Sequence, residues 1–381
     1  MMTRQSHGEP VACFPAGTLI RMADGSERAI ERVRPNEHVV TAEGRTGMVS
    51  HLLMRREAAL IIRLTVWDHA PLHVTPEHPV LTRRGYVCVG DLRLDDWIGL
   101  TRYRPKARVA LNVCKLISPR ERTPGAVVGS IGGVDQATDA AAGVAAIPEV
   151  ISLTPRFGRL VGLFLGAGIA TSNPMHFTFA TDDRGPITDE CLDLVSDLGA
   201  AAEVDSSTSG RTHVFVCVAE WARLWQRLCG TRAVDRMVHP LLMGDDAFLC
   251  AMLDGWMACE GRAAGRSGRA PHSVGSTVSK VLAFGMYDIA QALGLRPIIR
   301  WCPPKVNRQT PWYEVEIESP CDDTENGDNP RCAMDGTHVW RRVRGIEQGA
   351  FDGMVYNLSV EGDESYVAQG IGVHNCAPSR P

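Results

Sequence analysis

Alternating apolar and polar positions dominate the first hundred residues and predict short β-strands joined by turns. In the run TLIRMADGSERAI, Asp24 and Gly25 separate two alternating segments, a pattern typical of a β-hairpin. The runs HVVTAEGRTGMVSHLL, LIIRLTVWDHAPLHVT and HPVLTRRGYVCV continue the alternation, and it returns in residues 338–375. We therefore predict one all-β module assembled from two distant parts of the chain.

Between these β segments the pattern changes to helical periods that alternate with strand-like runs such as HFTFAT and WYEVEIES. For the last predicted helix, Thr277 or Ser279 is a suitable N-cap and Gly294 a suitable end. The predicted helices cover residues 160–170, 187–200, 219–230, 246–262 and 277–294. This middle part is therefore predicted as an α/β (α+β) insertion.

Composition marks the borders of these parts. Residues 118–150 are rich in Gly, Ala, Pro and Ser and are predicted to form a linker. Residues 320–336 are predicted to form an acidic loop. We predict a multidomain chain. Its parts are an N-terminal flank (1–12), an all-β part (13–117), the linker (118–150), the insertion (151–319), the acidic loop (320–336), a second all-β part (337–375) and a C-terminal flank (376–381).

Charge and composition exclude several classes of protein. The 381 residues carry a formal net charge of -4, so no global basic surface indicates a nucleic-acid or anionic-membrane binder. No apolar run approaches the roughly 20 residues of a membrane span, and MMTRQSHGEPVA lacks the apolar stretch of a signal peptide. The twelve cysteines form no CxxC pair, which argues against structural zinc or a disulfide framework. We expect an intracellular, cytoplasmic protein with no membrane partner.

Residues near the start of the all-β part can act on a peptide bond. The Cys13 thiol can attack the carbonyl of Ala12 and convert the Ala12–Cys13 amide into a thioester. Thr75 and His78 lie three residues apart in the turn-forming run LHVTPEHPV, where Thr can position donors near the carbonyl and His can protonate the departing amine. Taken alone, this run also fits a surface turn with a solvated histidine.

A second reactive group of residues ends the all-β pattern. The side-chain amide of Asn375 can attack its own carbonyl, close a succinimide and cleave the Asn375–Cys376 bond. His374 directly precedes this bond and can polarise its carbonyl or assist the leaving group. Cys376 can accept an acyl group from Cys13, which requires the two distant segments to meet in space.

Together these motifs resemble the inteins, the self-splicing members of the Hint (Hedgehog/intein) group. CFPAGTLIRMADGSERAIERV is similar to the opening intein block, LHVTPEHPV to the TxxH block and VYNLSVEGDESYVAQGIGVHNC to the closing blocks. The resemblance implies a horseshoe-like all-β Hint fold. It also implies a splicing route by N–S acyl shift at Cys13, transthioesterification to Cys376, cyclisation of Asn375 and a final S–N shift. This route needs no cofactor, its partners are the protein's own flanking exteins, and the expected state is a monomer.

Two positions depart from the family pattern of the closing blocks. Many inteins with a Cys nucleophile carry an Asp where this chain has Asn357, and often a His where it has Glu364. An amide cannot act as a carboxylate base, so we expect the coupling between the splicing steps to differ. We expect splicing itself to survive both departures.

The insertion resembles the LAGLIDADG homing endonucleases. The windows LVGLFLGAG (residues 160–168) and LDGWMACEG (residues 253–261) align without gaps to that family's helix motif. The motif implies two closely packed helices with small residues at the crossing, here Gly162, Gly166, Gly255 and Ala258.

The resemblance also implies one carboxylate at each helix end that binds Mg²⁺ over the scissile phosphates of double-stranded DNA. Glu260 fills this position in the second window, but Ala167 replaces the other acid. Arg236 stands where the family has a basic residue before the second motif, and acidic residues slightly outnumber basic ones in the insertion. We expect the LAGLIDADG fold without efficient double-strand cleavage, so that Mg²⁺ would matter only if the endonuclease were active.

Three hypotheses follow from these motifs. The first is an autocatalytic splicing element with a degenerate endonuclease insertion. The second is a working DNA endonuclease with impaired splicing, and the third is a Hedgehog-like domain that transfers its N-terminal segment to an outside nucleophile. The first is favoured by the lost acid at position 167 and by the intact splicing residues, namely Cys13, Thr75, His78, His374, Asn375 and Cys376. The C-terminal His-Asn-Cys argues against the third, which needs no Asn cyclisation. Nothing in the sequence names the host protein.

Overall fold

The computed structural model describes residues 12–118, 147–170, 175–180, 186–206, 210–216, 219–260, 262–264, 272–304, 310–318 and 332–375. Within these ranges the chain is mostly β-sheet with five α-helices. It divides into two compact units, of which the first contains the described residues of 1–105, 299–301 and 321–381, and the second those of 106–298 and 302–320.

The elements follow one another along the chain with short strands in most places. The strands are β1 (Phe14–Pro15), β2 (Leu19–Arg21), β3 (Glu27–Ala29), β4 (His38–Val40), β5 (Thr46–Val66), β6 (Leu72–Val74), β7 (Pro79–Thr82), β8 (Gly85–Cys88), β9 (Trp97–Thr101), β10 (Ala110–Asn112), β11 (Val150–Ser152), β12 (Gly168–Ala170), β13 (Met175–Ala180), β14 (Glu203–Asp205), β15 (Arg211–Val216), β16 (Arg262–Ala264), β17 (His272–Thr277), β18 (Arg296–Cys302), β19 (Trp312–Glu318), β20 (Cys332–Met334), β21 (His338–Val360), β22 (Ser365–Ala368) and β23 (Ile371–His374). The helices are α1 (Pro155–Ala167), α2 (Pro186–Asp197), α3 (Ala219–Cys229), α4 (Asp246–Glu260) and α5 (Lys280–Ala292).

The first unit is built on a thirteen-stranded sheet in the order β3-β2-β22-β23-β7-β9-β21-β5-β4, with β1 and β20 paired to β21, β6 to β5 and β8 to β7. The predicted hairpin at Asp24 and Gly25 joins β2 to β3. Gly25 has a φ of +88°, a conformation that glycine adopts without steric cost, and the Ser26 N–H donates to the Asp24 carboxylate over 2.9 Å.

Two long strands correct the prediction of short ones. The runs that we expected to form separate strand–turn units are joined in β5, which has 21 residues, and β5 pairs antiparallel with the 23-residue β21. The register runs from Val343 opposite Val66 to Val360 opposite Val49. Neither strand contains a proline, so no residue lacks the N–H that the ladder needs. Alternation alone does not show where a strand ends, and the sequence therefore underestimated its length.

The second unit contains two four-stranded sheets, β12-β13-β15-β14 and β16-β17-β19-β18. Residues 299–301 of β18 group with the first unit. Strand β10 pairs with β11, so residues 106–117, which we expected in the all-β part, cluster here. Most of the predicted linker, residues 119–146, lies outside the described residues. So do residues 320–331 of the predicted acidic loop, but the described remainder of the loop includes β20, which pairs with β21.

Local capping explains where the helices begin. The Thr154 hydroxyl accepts a hydrogen bond from the Phe157 N–H over 3.2 Å, and Pro155 occupies the first helical position, so α1 starts earlier than the predicted residue 160. It ends at Ala167, where the next three residues form β12. Ser279 is the N-cap of α5 and accepts from the Leu282 N–H over 3.2 Å. No helix in the described ranges is long and apolar enough to cross a bilayer.

Helices α1 and α4 cross at glycines. A Cβ added to Gly162 would collide with the carbonyl oxygen of Met252, and one added to Gly255 would collide with the backbone of the facing helix. A Cβ on Gly166 would lie 2.5 Å from the Cβ of Cys259. The predicted contact of Ala258 is wrong, because this side chain is exposed and Cys259, four residues after Gly255, lies on the contact face.

We predict that Gly162→Ala destabilises the second unit by about 1–3 kcal/mol, because the new methyl group must displace backbone across the crossing. Gly285→Ala in α5 is the matched control, since a Cβ there would meet only Val238 at 4.0 Å. Replacing a mid-helix glycine without a clash should stabilise by up to about 1 kcal/mol. Urea unfolding followed by tryptophan fluorescence, to which the buried Trp221, Trp225 and Trp256 of the second unit contribute, measures both changes. Equal stabilities for the two variants would contradict the close crossing.

Candidate functional site

The Ala12–Cys13 peptide bond is buried and held by Thr75. The Cys13 N–H donates to the Thr75 hydroxyl over 2.9 Å, and the Thr75 N–H donates to the Cys13 carbonyl over 3.0 Å. Ala12 and Cys13 are only 4% and 2% exposed. Thr75 thus fixes the orientation of the amide nitrogen that would leave if the Cys13 thiol attacked the Ala12 carbonyl.

Asn357 holds the other side of this peptide bond. Its Nδ2 donates to the Ala12 carbonyl over 2.7 Å, while its Oδ1 accepts from the Leu358 N–H over 2.7 Å and from the Tyr366 hydroxyl over 2.6 Å. The side chain is fully buried. Sequence reasoning treated Asn357 only as a departure from a carboxylate pattern and missed this contact. Its position in the closing block was the available signal.

The turn that carries Thr75 and His78 is part of the interior. The His78 N–H donates to the Thr75 carbonyl over 3.2 Å, the Val89 N–H donates to the His78 carbonyl over 3.0 Å, and the Gly90 N–H donates to the Pro76 carbonyl over 2.8 Å. Thr75 is 2% exposed and His78 is fully buried. The alternative of a solvated surface turn therefore does not hold for this structure.

Burial keeps the His78 imidazole neutral. The ring centroid lies 4.2 Å from that of Phe14 and 6.4 Å from that of Tyr366. Loss of hydration lowers the pKa of His78 to about 3, the backbone of Ala12 opposes this change, and the charge of His374 adds to it. A neutral imidazole has one N–H donor and one acceptor, and this is the form available beside the Ala12–Cys13 bond.

The C-terminal group has its own network. The His374 Nδ1 lies 2.8 Å from the Asn375 carbonyl oxygen, and the His374 ring packs edge-on against Tyr86 at 4.9 Å between centroids. Asn375 Nδ2 donates to the Val360 carbonyl over 2.8 Å, and the Val360 N–H donates to Asn375 Oδ1 over 3.2 Å. The Asn375 N–H donates to the Glu364 carbonyl over 2.7 Å. His374 is therefore placed at the carbonyl that cyclisation would attack.

The two groups of residues lie on neighbouring strands of the same sheet. Strand β23, which ends at His374, pairs with β7 through Val373 and Val80, and β7 begins directly after His78. Strand β1, which follows Cys13, pairs with Val355 and Tyr356 of β21, the two residues directly before Asn357. Cys376, the predicted second nucleophile, lies outside the described residues.

The second predicted site concerns the ends of α1 and α4. Ala167 ends α1 and Glu260 ends α4, and the Glu260 side chain lies outside what the structure describes. Arg236 is buried, donates to the Phe164 carbonyl over 2.6 Å and to the Gly168 carbonyl, and lies over the Phe164 ring at 4.9 Å. Arg236 thus binds the carbonyl groups that end α1.

These residues do not fit a divalent cation at the end of α1. The Ala167 side chain offers no oxygen ligand. The positively charged Arg236 guanidinium already donates to the nearby carbonyl oxygens of Phe164 and Gly168. No group of three or more His, Cys, Asp or Glu side chains suited to a metal ion occurs in the part of the chain that the structure describes.

Comparison with known proteins gives partial matches. No protein-family model matches the chain. An iron–sulfur cluster assembly SufBD family protein of Mycobacterium tuberculosis is 27% identical over 393 residues, covering 96% of this chain and 43% of that protein. The ATP-dependent DNA helicase Hel308 of Thermococcus kodakarensis is 22% identical over 420 residues, covering 97% of this chain and 36% of the helicase. The chain thus spans less than half the length of these two relatives.

Intein and LAGLIDADG proteins are among the solved structures with partial similarity. A bacterial intein-like domain from Clostridium thermocellum has 23% identity and a TM-score of 0.22, covering 23% of this chain and 67% of that domain. The homing endonuclease I-DmoI in complex with DNA and Mn has 13% identity and a TM-score of 0.33, covering 44% of this chain and 90% of the endonuclease.

We predict that acid destabilises the first unit through its buried histidines. The pKa of His78 is lowered to about 3 and that of His69 to about 4, in both cases chiefly by burial. Between these values and about 6.5 the unfolded chain binds the extra protons, so stability is present above pH 6.5 and falls as pH decreases. Each histidine contributes a slope of at most about 1.4 kcal/mol per pH unit.

Chemical denaturation from pH 7.5 to 4.5 in a Cys13→Ala background measures this slope. His78→Gln and His69→Gln should each flatten the decline, and the double variant should flatten it further. A slope that neither substitution changes would show that folding does not lower the pKa of these rings.

Proposed function

We propose that the first unit performs autocatalytic protein splicing. The main support for this proposal is a pair of hydrogen bonds to the Ala12–Cys13 peptide bond. Its N–H donates to the Thr75 hydroxyl, and its carbonyl accepts from Asn357 Nδ2. The same buried region contains His78, and His374 lies at the Asn375 carbonyl. These are the two peptide bonds that splicing must break.

The first step converts an amide into a thioester. The Cys13 sulfur bonds to the Ala12 carbonyl carbon, the bond from that carbon to the Cys13 nitrogen breaks, and the thiol proton ends on the new Cys13 amine. Thr75 keeps the leaving nitrogen oriented, and the neutral His78 ring can relay a proton between sulfur and nitrogen. Burial of both residues excludes water that would otherwise hydrolyse the thioester.

The later steps transfer and release the acyl group. The Cys376 sulfur attacks the thioester carbonyl and the Cys13 thiol leaves, which joins the two flanking segments in a branched chain. Asn375 Nδ2 then attacks its own carbonyl carbon, with His374 within hydrogen-bond distance of that carbonyl oxygen. The bond to Cys376 breaks and its freed amine takes the acyl group from sulfur. All reacting groups come from the chain and its flanking exteins, so the reaction needs no cofactor.

The sequence relatives support an inserted element. Nearly the whole chain matches parts of an iron–sulfur cluster assembly protein and of a DNA helicase, two proteins whose names describe unrelated activities. A segment common to both cannot owe its likeness to either activity, whereas an element that inserts into different hosts would show this distribution. Participation in iron–sulfur assembly, as the name of the first relative suggests, is the competing proposal.

For the second unit we propose a LAGLIDADG-type domain that does not cut both strands of DNA efficiently. The close glycine crossing of α1 and α4 supports the helix arrangement of that family. Ala167 and the engaged Arg236 argue against metal-dependent cleavage. An active site-specific homing endonuclease with impaired splicing is the alternative.

We expect splicing when the full chain, with its flanking residues, is expressed between two folded reporter proteins. Intact-mass analysis should show the joined reporters and a released fragment of residues 13–375 that ends in Asn375 or its succinimide. Cys13→Ala should abolish joining while leaving Asn375-dependent cleavage, and Asn375→Ala should stop C-terminal release while allowing thiol-induced cleavage after Ala12.

Persistence of the uncleaved fusion would refute the splicing proposal. Unchanged mass patterns in both variants would also refute it, because any cleavage would then come from other residues.

For the second unit we expect no double-strand cleavage by the unmodified protein, because one metal-binding carboxylate is absent. The substrate is DNA in which the two segments that flank the element's coding sequence are joined, incubated with Mg²⁺. Ala167→Asp restores the acid, and a gain of nicking or cutting in this variant would support the proposed cause. Efficient cutting by the unmodified protein would contradict the proposal.

A further inference from the structure

We propose that Asn357 is a catalytic residue that stabilises the negative oxygen formed when Cys13 attacks the Ala12 carbonyl. This inference rests on the proposed splicing function and assigns a role that the carboxylate pattern of the family would not supply. It follows from the contacts of one fully buried amide.

The orientation of the Asn357 amide is determined by its neighbours. The Leu358 N–H can only donate, and it points at one end of the Asn357 side chain over 2.7 Å, so that end must be the oxygen. The Tyr366 hydroxyl donates to the same oxygen over 2.6 Å. The Nδ2 group consequently faces the Ala12 carbonyl, which can only accept, over 2.7 Å. If the amide were flipped, its oxygen would face the Ala12 carbonyl oxygen. Its NH₂ group would then face the Leu358 N–H, so that two donors would oppose each other.

A donor in this position favours the transition state. When the Cys13 sulfur bonds to the carbonyl carbon, the carbonyl electrons move to oxygen, which becomes an alkoxide in the tetrahedral intermediate. A hydrogen bond to that oxygen strengthens as its charge develops, and it does so most in a buried site with little water. Because Asn357 is already held by Leu358 and Tyr366, no reorientation is required at the moment of attack.

A carboxylate at this position would have the opposite effect. In Asn357→Asp one oxygen can keep the two donors, while the other faces the Ala12 carbonyl as an anion and repels the developing charge. Only the protonated acid could donate, so the defect should grow as pH rises. Tyr366 is the titratable group that bonds to Asn357, and His78 packs against Tyr366. On the paired strand β5, His51 and Arg55 flank Leu53, the register partner of Asn357. These groups are the same in both forms.

The experiment measures thiol-induced cleavage after Ala12 in the full chain, placed between two reporter proteins. It uses an Asn375→Ala background, in which C-terminal release does not occur. Asn357→Asp should slow this cleavage by about 10²–10³-fold at neutral pH, the usual effect of losing one oxyanion donor. The ratio of the unmodified rate to the Asn357→Asp rate should rise from pH 6 to pH 9. In a Cys13→Ala background, Asn375-dependent C-terminal cleavage should be unchanged by Asn357→Asp, which also verifies folding.

Two further variants separate catalysis from stability. Tyr366→Phe keeps the ring beside Phe14 and His78 but removes one hydrogen bond to the Asn357 oxygen, so it should slow N-terminal cleavage less than Asn357→Asp does. Gln369→Met is the matched control, because the buried Gln369 also donates to a backbone carbonyl, that of Pro71 over 3.1 Å. It should leave the cleavage rate unchanged.

The outcomes distinguish this inference from the splicing proposal. No thiol-induced cleavage in the Asn375→Ala parent would overturn splicing itself. Cleavage in the parent with an equal rate in Asn357→Asp at every pH from 6 to 9 would overturn the role of Asn357 alone. Loss of C-terminal cleavage together with N-terminal cleavage would assign Asn357 a structural role and would also overturn the inference.

Discussion

The antiparallel pairing of β5 with β21 is the constraint on which the first unit depends. The two strands are separated by more than 270 positions in the chain, yet their register sets Tyr356 opposite Met54, and the same residue pairs with Phe14 of β1. Asn357 is thereby brought to the Ala12 carbonyl. Because side chains alternate between faces of a strand, a slip of one residue would turn Asn357 away from that carbonyl. The long pairing therefore determines which side chain meets the Ala12 carbonyl, although neither β5 nor β21 contains the Ala12–Cys13 bond.

Burial determines how this bond can be activated. Thr75, His78 and Asn357 are each at most 2% exposed, so the groups around the Ala12–Cys13 amide act in a medium of low polarity. Such a medium disfavours an imidazolium, which lowers the pKa of His78 to about 3, and it strengthens hydrogen bonds between neutral groups. The site therefore relies on positioned neutral donors and acceptors. At the other bond, His374 contacts the Asn375 carbonyl while its ring is only partly buried.

In the second unit, the close packing of the helices and the side chains at the helix ends involve different residues. Gly162 and Gly255 meet where α1 and α4 cross, and any larger side chain there would collide with backbone. This requirement belongs to folding, and it holds whether or not the helix ends carry acids. Ala167 satisfies the helix but supplies no ligand, and the neighbouring carbonyl groups are bound by Arg236.

Local signals in the sequence determined the hairpin at Asp24 and Gly25, the Ser279 cap and the approximate extents of the five helices, because these depend on hydrogen bonds and periods within a few residues. The sequence also pointed to Cys13, Thr75 and His78, which the structure brings together. It did not reveal the continuous length of β5 and β21, the place of Cys259 at the helix crossing, or the contacts of Asn357 and Arg236. Those features were decided by the tertiary structure, because each depends on strand register or helix rotation that joins residues far apart in the chain, and no local pattern encodes such a choice.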